Sequence, residues 1–163
     1  MPFLSNGQYR IFNANFTTQD VDLLFGQPSS IIGGYVNNSY TFNMVWNLKN
    51  VESDANQFTL TSAAPSANGT YASIDGMTVG ANVRGSSTNK TVWTIVPTLK
   101  SDCYWILAPT HFPSELVWSL SSEQDITPIK LAHLAYNDLS QMWTFQPQAE
   151  KVGNAPRRLN DLD

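Results

Sequence analysis

Val92-Trp93-Thr94-Ile95 is the middle copy of a phrase that the chain uses three times. It follows Val45-Trp46-Asn47-Leu48 by 47 residues and precedes Met142-Trp143-Thr144-Phe145 by 50. A second phrase keeps step with it: Tyr9-Arg10-Ile11, Phe58-Thr59-Leu60 and Tyr104-Trp105-Ile106, at spacings of 49 and 46 residues. Self-similarity at one period means that a single supersecondary unit has been repeated. Each copy is apolar at alternate positions, the period of a half-buried strand. The repeat is therefore a β unit of about fifty residues, used three times.

Punctuation between the phrases divides each unit into four strands. In the first unit strands are expected at 8–12, 21–25, from Ser30 onward and at 45–48, with Gly26-Gln27-Pro28-Ser29-Ser30 as an exposed turn and Gly33-Gly34 as a bulge or close backbone contact. The second unit reads as strands at 58–61, 71–74, 77–83 and 92–96, with a tight Asp75-Gly76 turn. The third has strands at 103–107, 116–120, 128–134 and 141–145. Twelve short strands with no helical period beyond two turns predict an all-β fold. Residues 1–148 are expected to form a single domain, with units at about 5–50, 51–97 and 98–148. Residues 149–163 gather Lys151, Arg157, Arg158, Asp161 and Asp163 around Gly153 and Pro156 and predict a flexible tail or an appended remnant.

Composition narrows the function classes. Only 13% of residues are charged, against roughly 25% in ordinary soluble domains. Ser, Thr, Asn and Gln supply the polar surface instead, which suits hydrogen bonding better than electrostatic steering. A net charge of −4 without a basic cluster in the body argues against nucleic acid. No apolar run approaches the ~18 residues of a membrane helix, so no membrane partner is expected. Met1-Pro2-Phe3-Leu4-Ser5 lacks the basic and apolar regions of a signal peptide, and Cys103 has no partner for a disulfide. Both point to a cytoplasmic protein held together by packing. The sequons at Asn15, Asn37, Asn68 and Asn89 then read as loop asparagines.

Catalysis is not expected. His133 alternates with apolar neighbours and reads as a strand-rim histidine. His111 lies in a proline-flanked loop with no paired acid nearby in sequence, and Cys103 reads as a core or edge thiol. No metal-ligand spacing and no phosphate-cradling glycine loop occurs, so no cofactor or metal is expected.

Three four-stranded units, each closing on a tryptophan, resemble a β-trefoil with pseudo-threefold symmetry. Gln141-Met142-Trp143 is similar to the Gln-x-Trp signature of ricin-B-like lectins, with Met44 and Thr91 replacing the glutamine in the other units. Among trefoils the chain most resembles the mycospin serine-protease inhibitors of mushrooms. The opening Gly7-Gln8-Tyr9-Arg10-Ile11, the series Trp93, Trp105, Trp118, Trp143 and the stretch Ile129-Lys130-Leu131 carry that likeness. It implies a serine protease as partner, inhibited through a substrate-like loop held ready by a rigid barrel.

Two loops match the family's reactive positions: Gly26, Gln27, Pro28 and Ser29 early in the chain, and Asn137 and Asp138 late. Neither offers Lys or Arg to a trypsin-like pocket; Arg84 and Lys90 are the basic positions expected on loops of the second unit. The frame shared with ricin-type lectins implies an alternative, a glycan partner. Such sites use an aspartate, an aromatic ring and an asparagine shortly before the closing tryptophan, and the first unit offers Asp22, Tyr35 and Asn43 in that order. The second unit has Asp75 but Lys90 for the asparagine, and the third has Ser119 and Ser140. A companion subunit with no ligand of its own fits the same frame.

Overall fold

The computed structural model describes residues 3–38, 41–52, 55–109 and 115–149. His111 and the tail from residue 150 onward lie outside that range. Among the described residues the chain forms thirteen strands: β1 (Gly7–Asn13), β2 (Gln19–Leu23), β3 (Ile32–Val36), β4 (Trp46–Glu52), β5 (Gln57–Ser62), β6 (Tyr71–Ile74), β7 (Val83–Ser86), β8 (Trp93–Pro97), β9 (Tyr104–Leu107), β10 (Leu116–Ser119), β11 (Thr127–Pro128), β12 (Lys130–His133) and β13 (Trp143–Pro147).

Six of these strands close on themselves. The order β1-β4-β5-β8-β9-β13 returns to β1, and every pairing is antiparallel. Tyr9 lies opposite Trp46, Leu48 opposite Leu60, Phe58 opposite Trp93, Ile95 opposite Ile106, Trp143 opposite Tyr104 and Ile11 opposite Phe145. Closure removes the unpaired edges that an open sheet would expose. The two repeated phrases are the barrel strands themselves. Their alternation puts Ile11, Phe58, Leu60, Ile95, Ile106 and the closing tryptophans in the core.

Six of the remaining seven strands make three hairpins: β2 with β3, β6 with β7, and β10 with β12; the two-residue β11 adds to β3. They grip one another in a ring. Ile129 N–H donates to the Ile32 carbonyl at 3.0 Å, Val83 N–H to Ile129 at 2.9 Å and Gly85 N–H to Ser30 at 2.7 Å. These backbones pass so closely that a Cβ on Gly85 would sit 2.5 Å from the Pro28 carbonyl oxygen, and one on Gly33 would sit 2.6 Å from that of Thr127. Glycine, which has no Cβ, is the residue that fits, and the expected close contact at Gly33-Gly34 has this cause.

One interaction recurs with the symmetry of the sequence. Trp46 Nε1 donates to the carbonyl of Val21 at 3.0 Å, Trp93 Nε1 to Ala72 at 2.9 Å and Trp143 Nε1 to Trp118 at 3.3 Å. The acceptors stand on β2, β6 and β10, the first hairpin strand of each unit. Each indole thus bolts its barrel strand to its own hairpin. The three closing tryptophans are fully buried, and Trp118 fills the space between two of them, edge-to-face with Trp93 at 5.2 Å and with Trp143 at 6.0 Å. Such pairs add about 0.5–1.5 kcal/mol beyond area burial.

The structure shifts several expected boundaries. β2 ends at Leu23 because Phe25 takes φ 65°, which no strand accommodates. The expected strand at 77–83 is instead a turn region. Gly80 has φ 85° and Ala81 N–H donates to the Thr78 carbonyl, so pairing with β6 begins only at Val83, opposite Ile74, while Asn82 bridges to Lys130. Asp75-Gly76 is therefore not a two-residue hairpin turn. Arg84, expected on a loop, stands in β7 opposite Ser73. The strand expected at 128–134 is split, because β11 leaves to pair with β3.

Candidate functional site

β2 and β3 bring the first-unit residues together. β2 carries Asp22, which lies opposite Gly33 of β3, and Tyr35 follows two residues further along β3. Asn43 sits in the short 3-10 turn Phe42–Met44, just before Trp46. Asp22, Tyr35 and Asn43 line one open cavity of about 320 Å³, completed by Phe25, Met44 and Ile126. That volume is at the small end of ligand sites. Ile126 comes from the loop between β10 and β11, so the third unit contributes to a first-unit cavity.

Asn43 is seated on Gly26. A Cβ at Gly26 would sit 2.9 Å from Asn43 Oδ1, and Gly26 itself adopts φ 61°. The Ser66 hydroxyl donates to the Gly26 carbonyl at 2.6 Å and fixes the turn from the second unit. Gly26 is thus a positioning residue for the Asn43 amide.

The cavity has an acidic floor. Asp22 is only 5% exposed, and its carboxylate makes no side-chain hydrogen bond among the described residues. Burial pushes its pKa up to about 6. Asp20, on the same face of β2, accepts from Arg10 Nε at 2.7 Å. Burial still raises Asp20 to about 7, because the attraction of Arg10 only partly offsets desolvation and the nearby Asp22 charge adds to it. Arg10 also reaches the Met44 sulfur at 3.5 Å, so the ion pair braces the cavity wall from behind. The unit therefore presents an aromatic ring, an amide and a carboxylate with spare acceptor capacity. Such a set can take hydroxyl donors and pack an apolar face.

The equivalent positions of the other units differ. Asp22 follows the residue whose carbonyl takes the indole, and by that criterion its counterparts are Ser73 and Ser119. Ser73 Oγ lies 2.9 Å from Thr91 Oγ1, and Ser119 Oγ lies 3.5 Å from Ser140 Oγ. Their hydroxyls are used within the protein. Asp75, expected as the second unit's acid, stands two residues beyond the equivalent place, and Arg84 donates to it at 2.9 Å. Asp75 and Lys90 line a second cavity of about 490 Å³, more open than the first. In the third unit Gln141 accepts from Ala135 N–H and donates to the His133 carbonyl, both within 2.9 Å. The glutamine of the Gln-x-Trp phrase is there a clip between β12 and the loop that follows it.

Solved structures share the overall fold. The Rhizoctonia solani agglutinin superposes with a TM-score of 0.74 at 27% identity, over 89% of this chain and 97% of the agglutinin. The ricin B-like lectin of Macrolepiota procera, solved in complex with lactose, gives 0.73 at 24% identity over 91% and 100%. ThreeFoil, a designed 3-fold symmetric protein, gives 0.67 at 16% identity over 85% and 97%. No protein-family profile matches the sequence, and no curated protein matches it.

The fold is a β-trefoil.

Within trefoils, the expectation of a serine-protease inhibitor is overturned by the Rhizoctonia, Macrolepiota and Polyporus neighbours, which are lectins. The geometry of both candidate loops agrees. A substrate-like loop must be extended and free to enter a cleft. Gly26, Gln27, Pro28 and Ser29 instead form a closed turn, in which Ser30 N–H donates to the Gln27 carbonyl at 3.0 Å and the Pro28 carbonyl is packed on Gly85. Asn137 and Asp138 fare no better. Asp138 Oδ1 accepts from the Ser140 N–H at 2.9 Å and from the Ser140 hydroxyl, capping the turn Leu139–Gln141.

The other singled-out side chains lie away from the trefoil cavities. His133 is exposed on β12, opposite Leu116. Cys103 is buried, and burial raises its thiol pKa, which disfavours the thiolate needed for nucleophilic attack. No cluster of metal-ligating side chains occurs among the described residues. Sequence reasoning missed Phe25, Met44 and Ile126 as cavity residues. Ile126 had no signal, since the hairpin ring that carries it to the first unit is a long-range contact.

Proposed function

We propose that the protein is a carbohydrate-binding lectin with one site in its first unit. The convergence of Asp22, Tyr35 and Asn43 on one cavity carries this reading. The Asp22 carboxylate, short of partners within the protein, accepts hydrogen bonds from sugar hydroxyls. The Asn43 amide, held on Gly26, both donates and accepts. The Tyr35 ring covers the apolar face of the sugar. These are the roles that a polar ring with one C–H face demands, and none needs a metal or a covalent step.

The likeness to the Macrolepiota lectin, solved with lactose, supports a saccharide as the ligand. The single first-unit site follows from the loss of the acid at Ser73 and Ser119. The test is a glycan array followed by calorimetry on the best ligand. Wild-type protein is expected to bind, and Asp22→Ala to lose that binding by at least tenfold; binding that survives the substitution excludes the site.

A further inference from the structure

Four non-glycine residues among those described have left-handed backbone: Phe25, Asn56, Asp102 and Ile126. Asn and Asp tolerate that conformation, because their short polar side chains can hydrogen-bond locally; a phenylalanine or a β-branched isoleucine does not. The turn at Ile126 is a tight one, closed by Thr127 N–H on the Gln124 carbonyl, and it places Ile126 where glycine would be free of strain. It is pinned to β3, since Ile126 N–H donates to the Gly34 carbonyl at 2.9 Å and Val36 N–H donates to Asp125 Oδ1 at 2.8 Å. Phe25, at φ 65° and ψ 0°, holds a similar place in the turn after β2.

Burial does not compensate the strain. Phe25 is 75% exposed and Ile126 49% exposed, yet both line the same cavity as Asp22. Two separate units each hold a large apolar side chain in a conformation that suits glycine, and both do so at one site. Strained backbone of this kind persists where the side chain has work to do.

We infer that Phe25 and Ile126 form an apolar extension of the site, which takes the next sugar ring of an oligosaccharide against its C–H face. This rests on the carbohydrate reading above. Asp22 and Asn43 hold the terminal ring by hydrogen bonds. The ring beyond it, with fewer polar partners within reach, packs against the two side chains. Their tight turns keep them from rearranging, so little ordering entropy is lost on binding.

The experiment is an array carrying each terminal monosaccharide in two forms, alone on a hydrophilic linker and as the end ring of a di- or trisaccharide. Wild type is compared with Phe25→Gly, Ile126→Gly and Ile126→Asn, and each variant is also melted. The extended forms are expected to bind wild type about tenfold more tightly than the single rings, on the scale of one buried apolar contact. The variants are expected to weaken the extended forms more than the single rings, so that the difference between the two forms closes, with thermal midpoints equal to or above wild type. Equal binding of both forms by wild type, a preference that persists in the variants, or midpoints that fall in all three overturns the inference and leaves the lectin reading standing. Absence of binding to every sugar overturns the lectin reading and this inference together.

Discussion

Trp46 donates its indole N–H to the carbonyl of Val21, the residue immediately before Asp22. The bond that secures the hairpin to the barrel thus ends one residue from the carboxylate that lines the cavity. Fold and site are coupled at this point, and the same bond in the other two units ends beside Ser73 and Ser119 instead. The symmetric frame is used three times, and its acid is kept once.

Replacing the indole separates these two consequences. Trp46→Phe and Trp93→Phe each leave a buried carbonyl without its donor, a loss of about 1–3 kcal/mol. Chemical denaturation is expected to show similar destabilisation for both. Only Trp46→Phe is expected to weaken sugar binding, because only Val21 sits beside an acid in a cavity. Equal losses of binding in the two variants would break the link between that bond and the site.

Much of this was legible in the sequence, for identifiable reasons. The barrel strands carry their own period, so Tyr9, Phe58, Trp93 and their counterparts announced the repeat directly. Asp22, Tyr35 and Asn43 could be singled out because the resemblance to ricin-type lectins implies that order of residues ahead of the closing tryptophan, and the first unit keeps it. The hairpin strands were harder. The turn at Gly80 delayed β7 to Val83, a conformation that glycine permits without dictating it, and Phe25 ended β2 early in a conformation that its residue type does not announce. Ile126 was out of reach, because it arrives through the ring of contacts between hairpins. The preference for inhibition failed for a different reason. Loop composition at Gln27 and Pro28 says nothing of whether a turn is open, and here it is closed on Gly85.

Binding is expected to depend on pH. Asp22 titrates at about 6 in the free protein. Its role as acceptor needs the carboxylate, so affinity is full above that value and falls as pH drops through it. Titration of the best ligand between pH 8 and pH 4.5 is expected to show a loss approaching tenfold per pH unit at the acid end. An affinity flat across this range would remove Asp22 from the site.

Stability has the opposite slope for the same group. Its folded pKa lies above the unfolded value of 3.8. Asp22 therefore contributes stability that is present below about pH 4 and is lost as pH rises through about 6. Asp22→Asn removes the buried charge. At pH 8 the variant is expected to be more stable than wild type by up to about 3 kcal/mol, with the difference vanishing near pH 4. Thermal melts across this range test it, and a variant less stable than wild type at pH 8 would show that the carboxylate serves the fold.

Gly26→Ala probes the seat of Asn43. The new Cβ would sit 2.9 Å from Asn43 Oδ1, at a backbone φ of 61°. A cost of about 1–2 kcal/mol is expected from the backbone alone. Displacement of the amide is expected to weaken sugar binding further, whereas Gly69→Ala has no atom to displace and should affect stability only. Calorimetry on both variants separates the effects.

The most direct measurement is calorimetric titration of the highest-ranking array glycan into wild type, Asp22→Asn, Asn43→Ala and, as a second-unit control, Lys90→Gln. A single site per chain is predicted, present in wild type and Lys90→Gln and weakened at least tenfold in the two first-unit variants. Full binding by Asp22→Asn, or loss of binding in Lys90→Gln alone, would contradict it.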